Sequence, residues 1–131
     1  MIVTKLLKFN YQQLTQLIPF DRWDRKMIEV DTTEAEFVTR VDPDTLIIRL
    51  TKKNSIRYLP DQHRIINPTI TVLINSKNKT ALPIEYQDNW THDIAMSQHE
   101  PYWRSDSAMK GKLTHLLAAW LTNLQLTLYT N

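Results

Sequence analysis

Apolar residues recur at steps of three and four through one long stretch, Ser105 to Leu126. They are Met109, Leu113, Leu116, Leu117, Trp120, Leu121 and Leu124. This is the helical period, so the stretch is predicted to be an amphipathic helix. Lys110, Lys112, Thr114, Ala118 and Thr122 fall off the stripe, and Ser105 or Asp106 can cap the first turn by accepting a free backbone N–H. A ridge of one Trp and five Leu must be covered. Each large side chain it buries contributes roughly 1.5–3 kcal/mol.

The same period opens the chain. Asn10-Tyr11-Gln12-Gln13 has the form of a capping box, Tyr11, Leu14, Leu17 and Ile18 follow at helical spacing, and Pro19 closes the segment. A short first helix is predicted there, docked with Leu6, Leu7 and Phe9 on the core. Phe20 to Arg25 alternates aromatic and charged groups, as in a connector whose Trp23 packs.

From Lys26 the period becomes two. Ala35, Phe37, Thr39 and Val41 oppose Glu34, Glu36, Val38 and Arg40; Asp42-Pro43-Asp44 turns the chain, and Leu46, Ile48 and Leu50 return on one face with Ile47, Arg49 and Thr51 on the other. A second hairpin follows, with Ile70, Val72 and Ile74 alternating with Thr69, Thr71 and Leu73. Asn75 to Asn78 forms its turn, and Leu82, Ile84 and Tyr86 come back along one face. Pro83 has no N–H to donate, which places this second strand at a sheet edge. Residues 52–67 and 88–104 read as irregular. The pattern predicts one α+β domain over 1–131. It would be an antiparallel sheet of four or five strands, with a short N-terminal helix and a long C-terminal helix packed on one face.

Composition narrows the chemistry. Without cysteine there is no disulfide, thiolate nucleophile or zinc ribbon. The single glycine, Gly111, lies inside a helical pattern, so phosphate-cradling loops of the Walker or Rossmann kind are excluded. Gly111 is expected to permit close packing, and Asn54, Asn75, Asn78 and Asn89 to supply the turns needing positive φ. Neither an apolar run with a cleavage site nor a membrane-length apolar stretch is present, so a cytoplasmic protein is expected. The net charge of +2 is nearly balanced.

Several of these residues together resemble the YqiB-like proteins, a small uncharacterised cytoplasmic family of gammaproteobacteria. The resemblance rests on Asn10-Tyr11 with Leu14, Leu17 and Pro19, then the paired strands, then Pro68-Thr69-Ile70-Thr71-Val72 and Leu117-Ala118-Ala119-Trp120-Leu121. It runs over nearly the whole chain and implies the same fold and a cytoplasmic location, with no activity to transfer. The chain departs from the family's polar runs. Asn75-Ser76-Lys77 stands where the family carries Tyr-His-Asp, and Ala108 and Met109 replace acidic residues ahead of Lys110.

Three kinds of site can be drawn from the residues. Trp90, Tyr102, Trp103 and Arg104 lie on the second irregular stretch, where large aromatics either anchor a protein partner or are buried under the loop. Lys52, Lys53, Arg57, Tyr58, His63 and Arg64 interleave an aromatic with cations, a pattern suited to single-stranded RNA. His92, Asp93, His99 and Glu100 have metal-ligating chemistry without the spacing of a closed motif, and no cofactor is expected. The favoured expectation is a small non-catalytic interaction or accessory protein, monomeric or homodimeric, whose partner is another protein. The alternatives are a nucleic-acid-binding module and an enzyme with its site between 52–67 and 88–104.

Overall fold

In the computed structural model, which describes residues 2–18, 20, 27–30, 33–52, 68–88, 90–99 and 102–130, two helices enclose the strands in chain order. The elements are α1 (Ile2–Leu17), β1 (Met27–Val30), β2 (Thr33–Asp42), β3 (Thr45–Lys52), β4 (Thr69–Asn75), β5 (Thr80–Gln87), β6 (His92–Ile94), β7 (Met96–His99), β8 (Tyr102–Ser105) and α2 (Ser107–Thr130). Strands β1 to β6 form one antiparallel sheet in sequence order, and β7 and β8 pair as a separate hairpin. The two predicted hairpins are β2–β3 and β4–β5. One strand is added beside each, β6 having only three residues.

Alternation along the strands sorts their side chains, and the register stacks like with like. Ala35, Leu50, Ile70 and Tyr86 form one cross-strand row, Phe37, Ile48, Val72 and Pro83 a second, and Leu46, Ile74 and Ala81 a third. Leu14 and Ile18 at the end of α1, with Leu117 and Leu121 of α2, close over these rows to make the core. Both helices therefore cover one face, as expected. Asp106 caps α2, its Oδ1 accepting the Met109 N–H at 3.0 Å. The stripe is buried at Leu113, Leu117, Leu121 and Leu124, and Trp120 reaches across to donate its indole N–H to Thr33 Oγ1 at 3.3 Å.

Several expectations need correction. Asn10 caps nothing: α1 begins at Ile2, so Asn10 is in mid-helix. It is wholly buried and donates Nδ2–H to the carbonyl of Thr114 at 3.3 Å. Thr114, off the apolar stripe, is buried too. Its hydroxyl returns to the Lys110 carbonyl of its own helix, a bond that lets a threonine enter a core. The stretch from 88 to 104 is not irregular, since it carries β6, β7 and β8.

The phase of β5 also differs. Pro83 pairs with Val72 and Glu85 with Thr71, so Ile84 is an extra residue at a bulge. The bulge reverses the alternation, placing Ala81 and Pro83 inside before it and Tyr86 inside after it; Leu82 faces the other way. Pro83 lies in a length of β5 that β6, paired only from Glu85 to Gln87, does not reach. The one positive φ at a non-glycine position among the described residues belongs to Lys79, at 57°, and not to an asparagine. Asn75 instead closes that turn by accepting the Asn78 N–H on its side chain at 2.8 Å. A Cβ built on Gly111 meets nothing within 4 Å, so this glycine serves no close packing.

Candidate functional site

The sheet face away from the helices carries its own rows. Glu36, Arg49, Thr71, Glu85 and Ile94 lie side by side across five strands, and Glu34, Thr51, Thr69, Gln87 and His92 form the row next to them. On the other flank, Thr39, Ile47, Leu73 and Leu82 make a mainly aliphatic row. Alternation alone puts Ile47 and Leu73 opposite the core, and the bulge in β5 brings Leu82 beside them. All three are half-buried, on the face that α1 and α2 do not cover. Polar groups on this face meet one another: Arg49 lies 3.8 Å from Glu36, and His92 Nε2 is hydrogen-bonded to Glu85 Oε2 at 2.5 Å. Ile94 stands 46 % exposed beside Glu85.

The β5–β6 turn presents the most exposed of the large hydrophobic residues described. Trp90 is 86 % exposed. Its backbone is nevertheless held, because Asp88 Oδ1 accepts the N–H groups of both Trp90 and Thr91 at 2.8 Å. Asp88 Oδ2 accepts the Tyr86 hydroxyl at 2.7 Å, and the Asp88 N–H donates to the Thr91 carbonyl at 2.9 Å. A short-range net of this kind fixes the turn while the indole remains in water. The Tyr86 hydroxyl bond and the Trp90 N–H hold the Asp88 carboxyl below the usual carboxylate range. Burial, then the bond and charge of Asp88, push the Tyr86 phenol up to about 12.

The other residues singled out from the sequence are dispersed. Tyr102, Trp103 and Arg104 lie in β8, opposite His99, Gln98 and Ser97 of β7. His92 and Asp93 are consecutive in a strand and so face opposite sides of the sheet: His92 bonds Glu85, whereas Asp93 accepts from Lys112 Nζ of α2 at 3.0 Å. They cannot share one ion. His99 ends β7, Glu100 lies outside the described residues, and no metal-holding group of three or more His, Asp or Glu occurs among those described. Of the basic segment, Lys52 sits exposed at the end of β3, and Lys53, Arg57, Tyr58, His63 and Arg64 lie outside the described residues. The ends of that segment meet, since the Lys52 N–H donates to the Pro68 carbonyl at 2.9 Å.

No helix among the described residues is long and apolar enough to cross a membrane. Compared with protein-family models, with curated proteins and with solved structures, the chain matches none.

Proposed function

We propose that this is a small cytoplasmic, non-catalytic interaction protein, which grips another protein with the Trp90 turn and the sheet face away from the helices. Trp90 is the observation that carries the proposal: a large ring, 86 % exposed, on a turn fastened by three side-chain bonds to Asp88. Such a ring is pre-positioned, so a partner gains its apolar area with little loss of backbone freedom, and Trp is among the residues that dominate interface energetics. The aliphatic row Ile47, Leu73 and Leu82 and the exposed Ile94 supply further apolar area. Arg49 lies 3.8 Å from Glu36 and His92 is hydrogen-bonded to Glu85, so these polar groups of the face already have partners within it. Membership of the YqiB-like family is part of the same proposal. In its support, the residues of the resemblance have packing roles here: Leu14, Leu117 and Leu121 are core, and Asn10 joins the two helices.

The test is comparative capture from an extract of the native host on immobilised wild type, Trp90→Ala, Leu73→Asp and Lys79→Gln. One protein should be retained by wild type and Lys79→Gln and fall by about tenfold or more with Trp90→Ala and Leu73→Asp. Retention of every captured protein equally by wild type and Trp90→Ala overturns the proposal.

A further inference from the structure

The rows on the sheet face away from the helices have a symmetry about β4. In one row Arg49 of β3 and Glu85 of β5 flank Thr71; in the next, Ile47 and Leu82 flank Leu73. A half-turn about an axis lying in the face, along β4, exchanges β3 with β5 and keeps each row at its own height. A second copy laid face to face by that operation sets its Arg49 over Glu85 and its Glu85 over Arg49. Ile47 and Leu82 exchange in the same way, and Leu73 meets its own image on the axis. The cation–anion contact thus occurs twice with aliphatic contacts beside it, the self-complementarity that a twofold interface requires. At the rim β2 exchanges with β6, so Glu34 falls over His92 and Glu36 over Ile94.

Other half-turns fail on charge. An axis along β3 sets Arg49 over Arg49, one along β5 sets Glu85 over Glu85, and one across the strands through that row does both. Like charges so placed oppose association. Stacked sheets keep their strands roughly aligned, about 10 Å apart, and a half-turn along a strand preserves that alignment. Arg49 and Glu85 keep 41 % and 38 % of their side-chain surface exposed beside Glu36 and His92, so each can reach across. We propose that this face is a self-association surface, filled by a second copy of the chain about a twofold axis along β4. The inference rests on the docking role proposed for the face and names its occupant. Both β5–β6 turns then lie at one end of the dimer, so the other protein meets two Trp90 turns at once, and Leu73→Asp weakens capture by removing that bivalence.

Sedimentation velocity of the full chain between about 5 and 200 µM should show monomer passing to dimer, a measurement that needs no variant. Leu73→Asp sets two carboxylates against each other on the axis, and Arg49→Glu and Glu85→Arg each create two like-charge contacts. Each should weaken self-association by about tenfold or more. An equimolar mixture of Arg49→Glu and Glu85→Arg restores opposite charges at both contacts, so it should dimerise as wild type does. Wild type that stays monomeric at about 200 µM overturns the proposal. So does a dimer indifferent to Leu73→Asp, or a mixture that associates no better than either variant alone. The two readings fail separately. Trp90→Ala that dimerises yet captures as wild type removes the Trp90 grip and leaves the dimer; a monomeric wild type whose capture still falls with Leu73→Asp removes the dimer and gives the face to the captured protein.

Discussion

The hydroxyl of Tyr86 donates to Oδ2 of Asp88 across 2.7 Å, and the same carboxylate accepts two backbone N–H groups on its other oxygen. Each partner titrates away from its ordinary value. Tyr86, raised from 10.0 to about 12 by burial and then by Asp88, favours the folded state while protonated. That contribution is complete below pH 10.0 and is lost as pH rises through about 12. Asp88, lowered by the Tyr86 bond and the Trp90 N–H, favours the folded state while ionised. Its contribution is present above the usual carboxylate range and is lost as pH falls through the lowered value. An absorbance titration of the phenols should show one that ionises near pH 12 and disappears in Tyr86→Phe. In that variant the Asp88 carboxyl should move back up. Five tyrosines titrating together near 10.0 would contradict the assignment.

The chain places a glycine where a helix wants none and a lysine where a turn wants glycine. Gly111 lies inside α2 with open space around its missing Cβ. Gly111→Ala should raise stability by about 0.5–1 kcal/mol, by restricting the unfolded chain and strengthening the helix.

Lys79 holds φ at 57°, a conformation that costs an L-residue about 1–2 kcal/mol. Lys79→Gly removes that cost but frees the unfolded chain, so a net gain of up to about 1 kcal/mol is expected. Thermal melts measure both substitutions, and a loss of stability in either would contradict the backbone account.

Asn10 and Leu14 are both wholly inside on α1, yet their removal should differ. Leu14→Ala leaves a cavity in the core and should cost about 2–5 kcal/mol. Asn10→Ala removes one bond to Thr114, but it also removes Oδ1, a buried acceptor with no partner among the described residues. A bond is worth about 1 kcal/mol and an unsatisfied buried oxygen costs about as much or more. Asn10→Ala should therefore lie within about 1 kcal/mol of wild type in urea unfolding. A loss as large as that of Leu14→Ala would mean that Oδ1 is paired.

Trp90 and Trp120 make a second contrast. Trp90→Ala should leave stability within about 0.5 kcal/mol of wild type, because the ring is in water. It should also remove a fluorescence component accessible to iodide. Trp120→Phe loses the donor to Thr33 Oγ1 and should cost about 1 kcal/mol, with little change in that component.

What could be read from the residues follows a physical divide. The stripe of α2 and the alternation of β3 and β4 are local patterns, and they gave Leu117, Leu121, Ile48 and Val72 to the core and Ile47 and Leu73 to the far face. Asn10 misled because its partner lies 104 positions away, and near Tyr11 and Gln13 it has the form of a cap. Leu82 misled because a bulge is a property of two paired strands, invisible in one. The Trp90 turn was half legible: the indole stood out, while the role of Asp88 two residues before it depends on its carboxylate folding back to the Tyr86 hydroxyl and forward to the Trp90 and Thr91 N–H groups, a geometry that no periodicity announces. Of the basic segment, only Lys52 falls within the described residues.

The sheet is a meander, so each new strand finds its neighbour already made. The helices obey the opposite schedule. α1 is synthesised before the strands, yet the backbone carbonyl that Asn10 needs belongs to Thr114, which is synthesised more than a hundred residues later. Until then Leu14 and Ile18 have no α2 beside them. The side of α1 that meets α2 therefore stays open while every strand is made, and transiently exposed apolar surface of that kind is prone to aggregation.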